Sequence, residues 1–141
     1  MAVKVVDASA AAALLFGEPE ADEIAKRLGS ERRVAPPLIA FELANVCLTK
    51  IRRHRDQRPA LLAAFGLRVR LAVEEIAVDH AEVVTLAAST GLTGYDASYL
   101  WLARALGAEL VTLDRRLAQA ADAQAKNRWA NVRLEDHLDL E

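Results

Sequence analysis

The chain has 141 residues, of which 53% are hydrophobic and 27% charged, with a formal net charge of -2. That length suits one domain, 1–141, built on one core, and the balance of apolar and charged residues fits a globular chain rather than a disordered one. A charge so close to zero argues neither for nor against a nucleic-acid partner. The lone Cys47 excludes an internal disulfide and fits a reducing compartment. The chain has no run of about 18 apolar residues to cross a membrane, and no apolar segment with a basic flank at its start. The expected location is therefore cytoplasmic.

Val3-Lys4-Val5-Val6 predicts a short buried strand, closed by Asp7. Ser9 is the expected N-cap of a helix over Ala10–Phe16, which Gly17 ends. Pro19 opens a second helix that stops at Gly29. Arg33-Val34-Ala35 predicts a second strand, and Pro36-Pro37 starts a long helix from Leu38 to about Arg53. On that helix Glu42, Asn45, Thr49 and Arg52 fall in one stripe. The stripe is either its solvated face or, at its N-terminal end, the lining of a cleft. Lys50, Arg52, Arg53, His54, Arg55 and Arg58 then form a basic run. Cations at a helix C-terminus complement its dipole, and contact with phosphates is the competing role.

Pro59 to about Leu71 predicts another helix, and Glu75–Val78 a third strand. Asp79 is the expected N-cap of a helix ending near Ser89. A loop over Gly91–Gly94 then opens a largely apolar helix that Gly107 stops. In its first turn Asp96 shares a face with Leu100 and Ala103, an unusual place for a carboxylate. Thr93 and Asp96 also have the spacing of a capping box, which is the structural role open to Asp96. Glu109–Leu113 predicts a fourth strand, followed by Asp114 as a possible N-cap for a helix over Arg115–Ala123. Asn131–Leu134 predicts a last edge strand, with Trp129 packed near it.

Strands that alternate with helices imply a three-layer α/β/α fold around a parallel sheet of four or five strands. Ligand crevices in such folds lie at the carboxyl ends of the strands. Asp7 and Asp114 sit at two such ends, and Asp96 begins a helix facing the same rim. With Glu42, four acids are expected to converge. Crowded carboxylates repel one another unless a cation joins them. All-oxygen donors with no His or Cys suit Mg²⁺ or Mn²⁺, ions that activate water and clamp a phosphate. A glycosidase needs only a carboxylate pair. A receiver domain needs an acidic pair near the first strand and a late Lys, but here Val5-Val6-Asp7 offers one acid and only Lys126 comes late. A phosphatase with an Asp nucleophile calls for Asp-x-Asp, but the chain has Asp7-Ala8-Ser9.

Four segments in order, Val6–Ser9, Phe41–Val46, Tyr95–Ala103 and Leu110–Leu117, resemble those of the PIN-domain family, and more narrowly of VapC toxins. The resemblance covers essentially the whole chain. It implies a metal-dependent endoribonuclease with Asp7, Glu42, Asp96 and Asp114 as the catalytic, metal-holding acids. Ser9 and Thr112 match supporting hydroxyl positions. Arg115, Arg116 and Arg52 are candidate RNA contacts, with helix-surface solvation as their other role. The implied partners are an RNA substrate, a cognate VapB-like antitoxin and a second copy of the chain, through the Leu61–Leu67 region. The alternative reading is a non-catalytic PIN-like or receiver-like binding module.

Overall fold

Four short parallel strands carry the fold in the computed structural model, which describes residues 2–123. They are β1 (Val3–Val6), β2 (Arg32–Ala35), β3 (Val73–Glu75) and β4 (Glu109–Val111), in the spatial order β3-β2-β1-β4. Val5, Val6, Val34 and Val111 are buried, because helices cover both faces of the sheet and leave no solvated side for alternation. The predicted edge strand Asn131–Leu134 and Trp129 lie outside the described residues.

The helices are α1 (Ala8–Phe16), α2 (Ala21–Leu28), α3 (Ile39–Arg53), α4 (Arg58–Gly66), α5 (His80–Thr90) and α6 (Gly94–Leu106). A further helix, α7, covers residues 115–123. Connections β1→β2→β3 step across the sheet in one direction, and β3→β4 steps back past β1. Right-handed crossovers therefore place α1 to α4 on one face, and α5 and α6 on the other. The packing agrees: α1 contacts α2, α3 and α4, while α5 packs on α6, which lies against β1 and β4. The result is the expected three-layer α/β/α arrangement.

Several boundaries differ from the sequence reading. α1 starts at Ala8, and its N-cap is Asp7 rather than Ser9, because the Asp7 carboxylate accepts from the Ala10 N–H at 3.0 Å. The Ser9 hydroxyl instead donates to Asp7 Oδ1 at 2.7 Å and accepts from the Leu113 N–H at 2.9 Å. α2 begins at Ala21, with Pro19 in the turn before it. The helix predicted to reach Leu71 ends at Gly66, and Arg68–Leu71 forms a 3-10 turn, closed by Ala72 in the left-handed region. β3 starts two residues earlier than predicted and ends three earlier. Its partner β2 runs out at Ala35 before Pro36, so the register Ala35↔Glu75 ends the ladder, save for one bond from Ile76 N–H to Ala35 O at 2.9 Å.

In the order β3-β2-β1-β4 the winding reverses at β1, so a crevice opens between the carboxyl ends of β1 and β4. The register Val6↔Val111 brings those ends level, and a bond from Asp7 N–H to Val111 O at 3.2 Å extends the pairing by one residue. Asp7 and Thr112 are thereby fixed side by side at the reversal point.

Candidate active site

A cavity of about 540 Å³ opens at this point, lined by Asp7, Ser9, Glu42, Asn45, Asp96 and Asp114 together with Phe41, Tyr95 and Tyr99. The four predicted acids thus share one cavity although they come from four separate elements. Each also stands at a helix N-terminus. Asp7 caps α1, Glu42 and Asp96 lie in the first turns of α3 and α6, and Asp114 accepts from the Leu117 N–H at 3.0 Å at the start of α7. The positive ends of four helix dipoles converge on the carboxylates, each worth about 0.3–1 kcal/mol to a nearby anion. Strands followed directly by helices place Asp7, Glu42 and Asp114, while Asp96 is brought in by the short loop between α5 and α6.

Asp7 is only 5% exposed. Its Oδ1 accepts from Ser9 Oγ and the Ala10 N–H, and its Oδ2 accepts from Thr112 Oγ1 at 2.5 Å. Thr112 Oγ1 in turn accepts from the Asp114 N–H at 2.9 Å. These bonds favour the ionised carboxylate, yet its pKa is raised, since burial outweighs them and Asp114 adds like-charge repulsion. The hydroxyls predicted to support the site, Ser9 and Thr112, are thus the groups that hold Asp7.

Glu42 is half-buried. Its Oε1 accepts from Tyr99 Oη at 2.7 Å. Burial raises its pKa, the Tyr99 bond opposes the rise, and Asp7 and Asp96 add to it. Tyr99 is itself buried beside this carboxylate, so its own pKa is pushed far up and the phenol acts as a donor. Asp96 also has a raised pKa, through burial first and then Asp114, with Arg116 and the Thr93 hydroxyl opposing. The capping bond expected of Thr93 forms, from the Asp96 N–H to Thr93 Oγ1 at 3.1 Å, while the Asp96 carboxylate lines the cavity. Only the Thr93 half of the capping box forms; the Asp96 carboxylate makes no bond back to the Thr93 N–H and is left to the cavity.

The basic candidates divide. Arg116 donates to Gly91 O at 3.0 Å and stands close enough to lower the Asp96 pKa. Gly91 adopts the positive φ of 75° that ends α5 there. Arg115 is exposed next to Asp114. None of the three arginines is among the residues lining the cavity, and Arg52 is the most remote of them along its element. Ten residues beyond Glu42 on one helix, it is displaced by roughly 15 Å along the axis. Tyr99 was not singled out for the site from the sequence, and Asn45 entered only as a member of the α3 stripe. The available signal was spacing: Tyr99 follows Asp96 by three and Asn45 follows Glu42 by three, so each shares a face with an acid.

The donors are carboxylates and hydroxyls with the Asn45 amide beside them, and burial raises the proton affinity of three of the four acids, with like-charge repulsion adding to the rise. Both features suit a hard divalent cation. Among the described residues, no three acidic, His or Cys side chains are drawn together tightly enough to form a ready-made metal cage. The acids surround a space instead of closing on a point, so the fit is one of donor chemistry. Two other clefts, one between α5 and α6 beside Trp101 and one beside α3 and Val69, bring together no comparable set of acids.

Comparison with known proteins agrees with this geometry. The family model for the PIN domain matches residues 4–123. The chain is 38% identical over 125 residues to VapC ribonuclease Mb0985 of Mycobacterium bovis and, with the same figures, to ribonuclease VapC9 of Mycobacterium tuberculosis, covering 85% of this chain and 92% of each relative. It is 33% identical over 120 residues to ribonuclease VapC3 of Pyrobaculum aerophilum, covering 82% and 92%. The crystal structure of PAE2754 from Pyrobaculum aerophilum superposes with a TM-score of 0.70 at 29% identity, over 84% of both chains.

Proposed function

The chain belongs to the PIN-domain family, and from that membership and the acid-lined cavity we propose that it is a VapC-type toxin, a ribonuclease that hydrolyses RNA with the aid of Mg²⁺ or Mn²⁺. The observation that carries this reading is the meeting of Asp7, Glu42, Asp96 and Asp114 in one cavity at the reversal point of the sheet. Asp7, Glu42, Asp96 and Asp114 would hold the cation. When bound, it supplies Lewis acidity toward a phosphate oxygen and lowers the pKa of the attacking water.

The chain's own residues set the geometry. Thr112 and Ser9 lock the Asp7 carboxylate in one orientation. Tyr99 gives the Glu42 carboxylate one tether, at Oε1. Asp114 spends one oxygen on capping α7, so its contribution is partly to orient the start of that helix and the arginines that follow it. Arg115 and Arg116, which follow directly on Asp114, would hold phosphates flanking the scissile one. Water attacks the phosphorus in line and the ribose 3′ oxygen leaves, giving 5′-phosphate and 3′-hydroxyl ends.

The partners belong to the same proposal: an RNA substrate, a VapB-like antitoxin and a homodimer. α4 contains no buried residue, and Leu62 and Leu67 are exposed at it, which supports a second copy on that face. Among the described residues no helix is long and apolar enough to cross a membrane, and we place the protein in the cytoplasm with its RNA.

Incubation of the purified chain with RNA, with Mg²⁺ or Mn²⁺ and with excess chelator, tests the activity. Cleavage that needs the cation and leaves 5′-phosphates is expected. Cleavage that persists in chelator, or 2′,3′-cyclic phosphate products, would defeat the mechanism. No cleavage under any condition would return the protein to a binding module.

A further inference from the structure

Arg52, Arg53, Arg55 and Arg58 cover the turn between α3 and α4, four arginines against one acid, Asp56, in a chain of net charge -2. All four are exposed, and no ion pair among the described residues involves any of them. The helix dipole accounts for half of this cluster. Arg52 and Arg53 stand in the last turn of α3, where the free carbonyls favour a cation. Arg58 opens α4, and Arg55 lies in the 3-10 turn that leads directly into it. That is the positive end of a helix, where a cation is repelled and an acid would be the stabilising choice. The fold gains nothing from cations there, and their charge is left for a ligand. One face of α3 joins this cluster to the cavity. Glu42 and Asn45 line the cavity, and Thr49 and Arg52 continue the same stripe as exposed polar residues.

We infer that Arg52, Arg53, Arg55 and Arg58 form a second RNA-binding site, an exosite that grips backbone phosphates of the substrate away from the cut, with the exposed stripe of α3 as the track between the two. The inference rests on the ribonuclease reading and adds a separate contact surface to it. The spacing suits one strand that visits both places. Arg52 lies roughly 15 Å from Glu42 along the helix axis, which a stacked strand covers in about five nucleotides at about 3.4 Å each. The charges divide the work. The cavity is lined by four carboxylates, which repel a phosphate backbone until a cation joins them, so the hold on the RNA has to come from elsewhere. Arginines on an open surface supply it, because a guanidinium pairs two donors with a phosphate and contacts of this kind fix position without reading bases. A protein partner fits the cluster less well. Residues 52–58 place no apolar side chain among their charges, whereas a protein interface needs an apolar centre inside its charged rim.

The test uses the full chain and two labelled RNAs of one composition, about five and about twenty nucleotides long, with binding read by fluorescence anisotropy in chelator across a range of salt. The longer RNA should bind the wild type about tenfold more tightly than the shorter one or better. The double variant Arg55→Gln, Arg58→Gln should lose most of that gain, and its plot of log affinity against log salt should flatten by about 1.4, the share of two phosphate contacts on a single strand. Arg55→Lys with Arg58→Lys should keep the slope. Lys26→Gln with Arg104→Gln, exposed cations on α2 and α6, should leave gain and slope unchanged. With Mg²⁺ the glutamine pair should raise KM for the longer RNA and leave cleavage of the shorter one as in the wild type. It should melt no lower than the wild type, since Arg58 leaves the unfavourable end of α4. An equal loss in the Lys26, Arg104 pair would reduce the effect to diffuse charge and overturn the inference. So would a gain that survives the glutamine pair, which would leave the cluster to a protein partner. A wild type that shows the length-dependent gain but never cuts would fail the ribonuclease reading alone.

Discussion

On the sheet side of the cavity, Asp7 is almost wholly buried and hydrogen bonds from Ser9, Ala10 and Thr112 occupy both of its oxygens. On the helical side, Glu42 and Asp96 are half-buried; Tyr99 alone ties the Glu42 carboxylate, and two exposed rings flank the pair. The sheet wall is bound into the fold: its acid caps α1 and its threonine bridges to Asp114. The helical wall is supported by backbone, but its charges are left to repel one another. A carboxylate with several donors is held in place before any ligand arrives, and one with few is free to adjust to it. The cavity thus joins a rigid half to an adaptable half. Substitutions on the two sides should differ in kind.

The largest effect should come from the sheet wall. Asp7→Asn keeps an amide oxygen to cap α1 but removes the charge, and cleavage should fall by at least about a hundredfold with the fold retained. Asp7→Ala should abolish cleavage and also destabilise the protein by roughly 2 kcal/mol, because the cap is lost and the Ala10 and Thr112 donors are orphaned. Rate measurements beside thermal melts of the two variants separate charge from cap. If Asp7→Asn retained half the activity, the sheet wall would be scaffold only.

The helical wall should respond in the opposite sense. The raised pKa values of Glu42 and Asp96 mean that the fold holds their protons more tightly than the unfolded chain does. Their stabilising effect is therefore complete below the ordinary carboxylate range near 4, and is lost as pH rises through the raised folded values. In chelator, Glu42→Gln and Asp96→Asn should melt above the wild type at pH 7, and the gap should close by about pH 4. Divalent cation should narrow the gap from the other direction by stabilising the wild type. Melting curves across pH check this. A lower melting temperature for Asp96→Asn at pH 7 would mean that its carboxylate matters more as helix-start support than as a repelled charge.

Tyr99→Phe should have the smallest effect. Its hydroxyl holds the Glu42 pKa down against burial and the neighbouring acids. Without that bond the Glu42 pKa rises further, and the acid limb of the pH–rate profile should move to higher pH with the melting temperature little changed. A profile that scales down without shifting would leave Tyr99 as a packing residue.

Much of this site was legible because its parts are local. Thr93 with Asp96, and Asp114 with the helix that follows it, are capping patterns that chain order alone exposes. The strand-then-acid pattern at Asp7 marked the crevice rim, since a strand followed by a helix puts its junction on one edge of a parallel sheet. Glu42 was ambiguous from the stripe on α3, because the periodicity of a helix tells which residues share a face but not what that face meets. The cap of α1 was assigned to Ser9 because serine is a good cap in isolation. In the fold that hydroxyl is claimed by Asp7 and by the Leu113 N–H, a partner more than a hundred residues away.

The sequence by itself determined the alternation of strand and helix, the four acids at element ends, and hence the chemistry available, because those depend on spacing and residue type. Only the tertiary structure decided that β4 returns beside β1 to bring Thr112 onto Asp7, that Tyr99 reaches Glu42 across 57 positions, and that Phe41 and Tyr95 are left bare at the same cavity. Those contacts depend on the order in which strands join the sheet, and no local pattern carries that order.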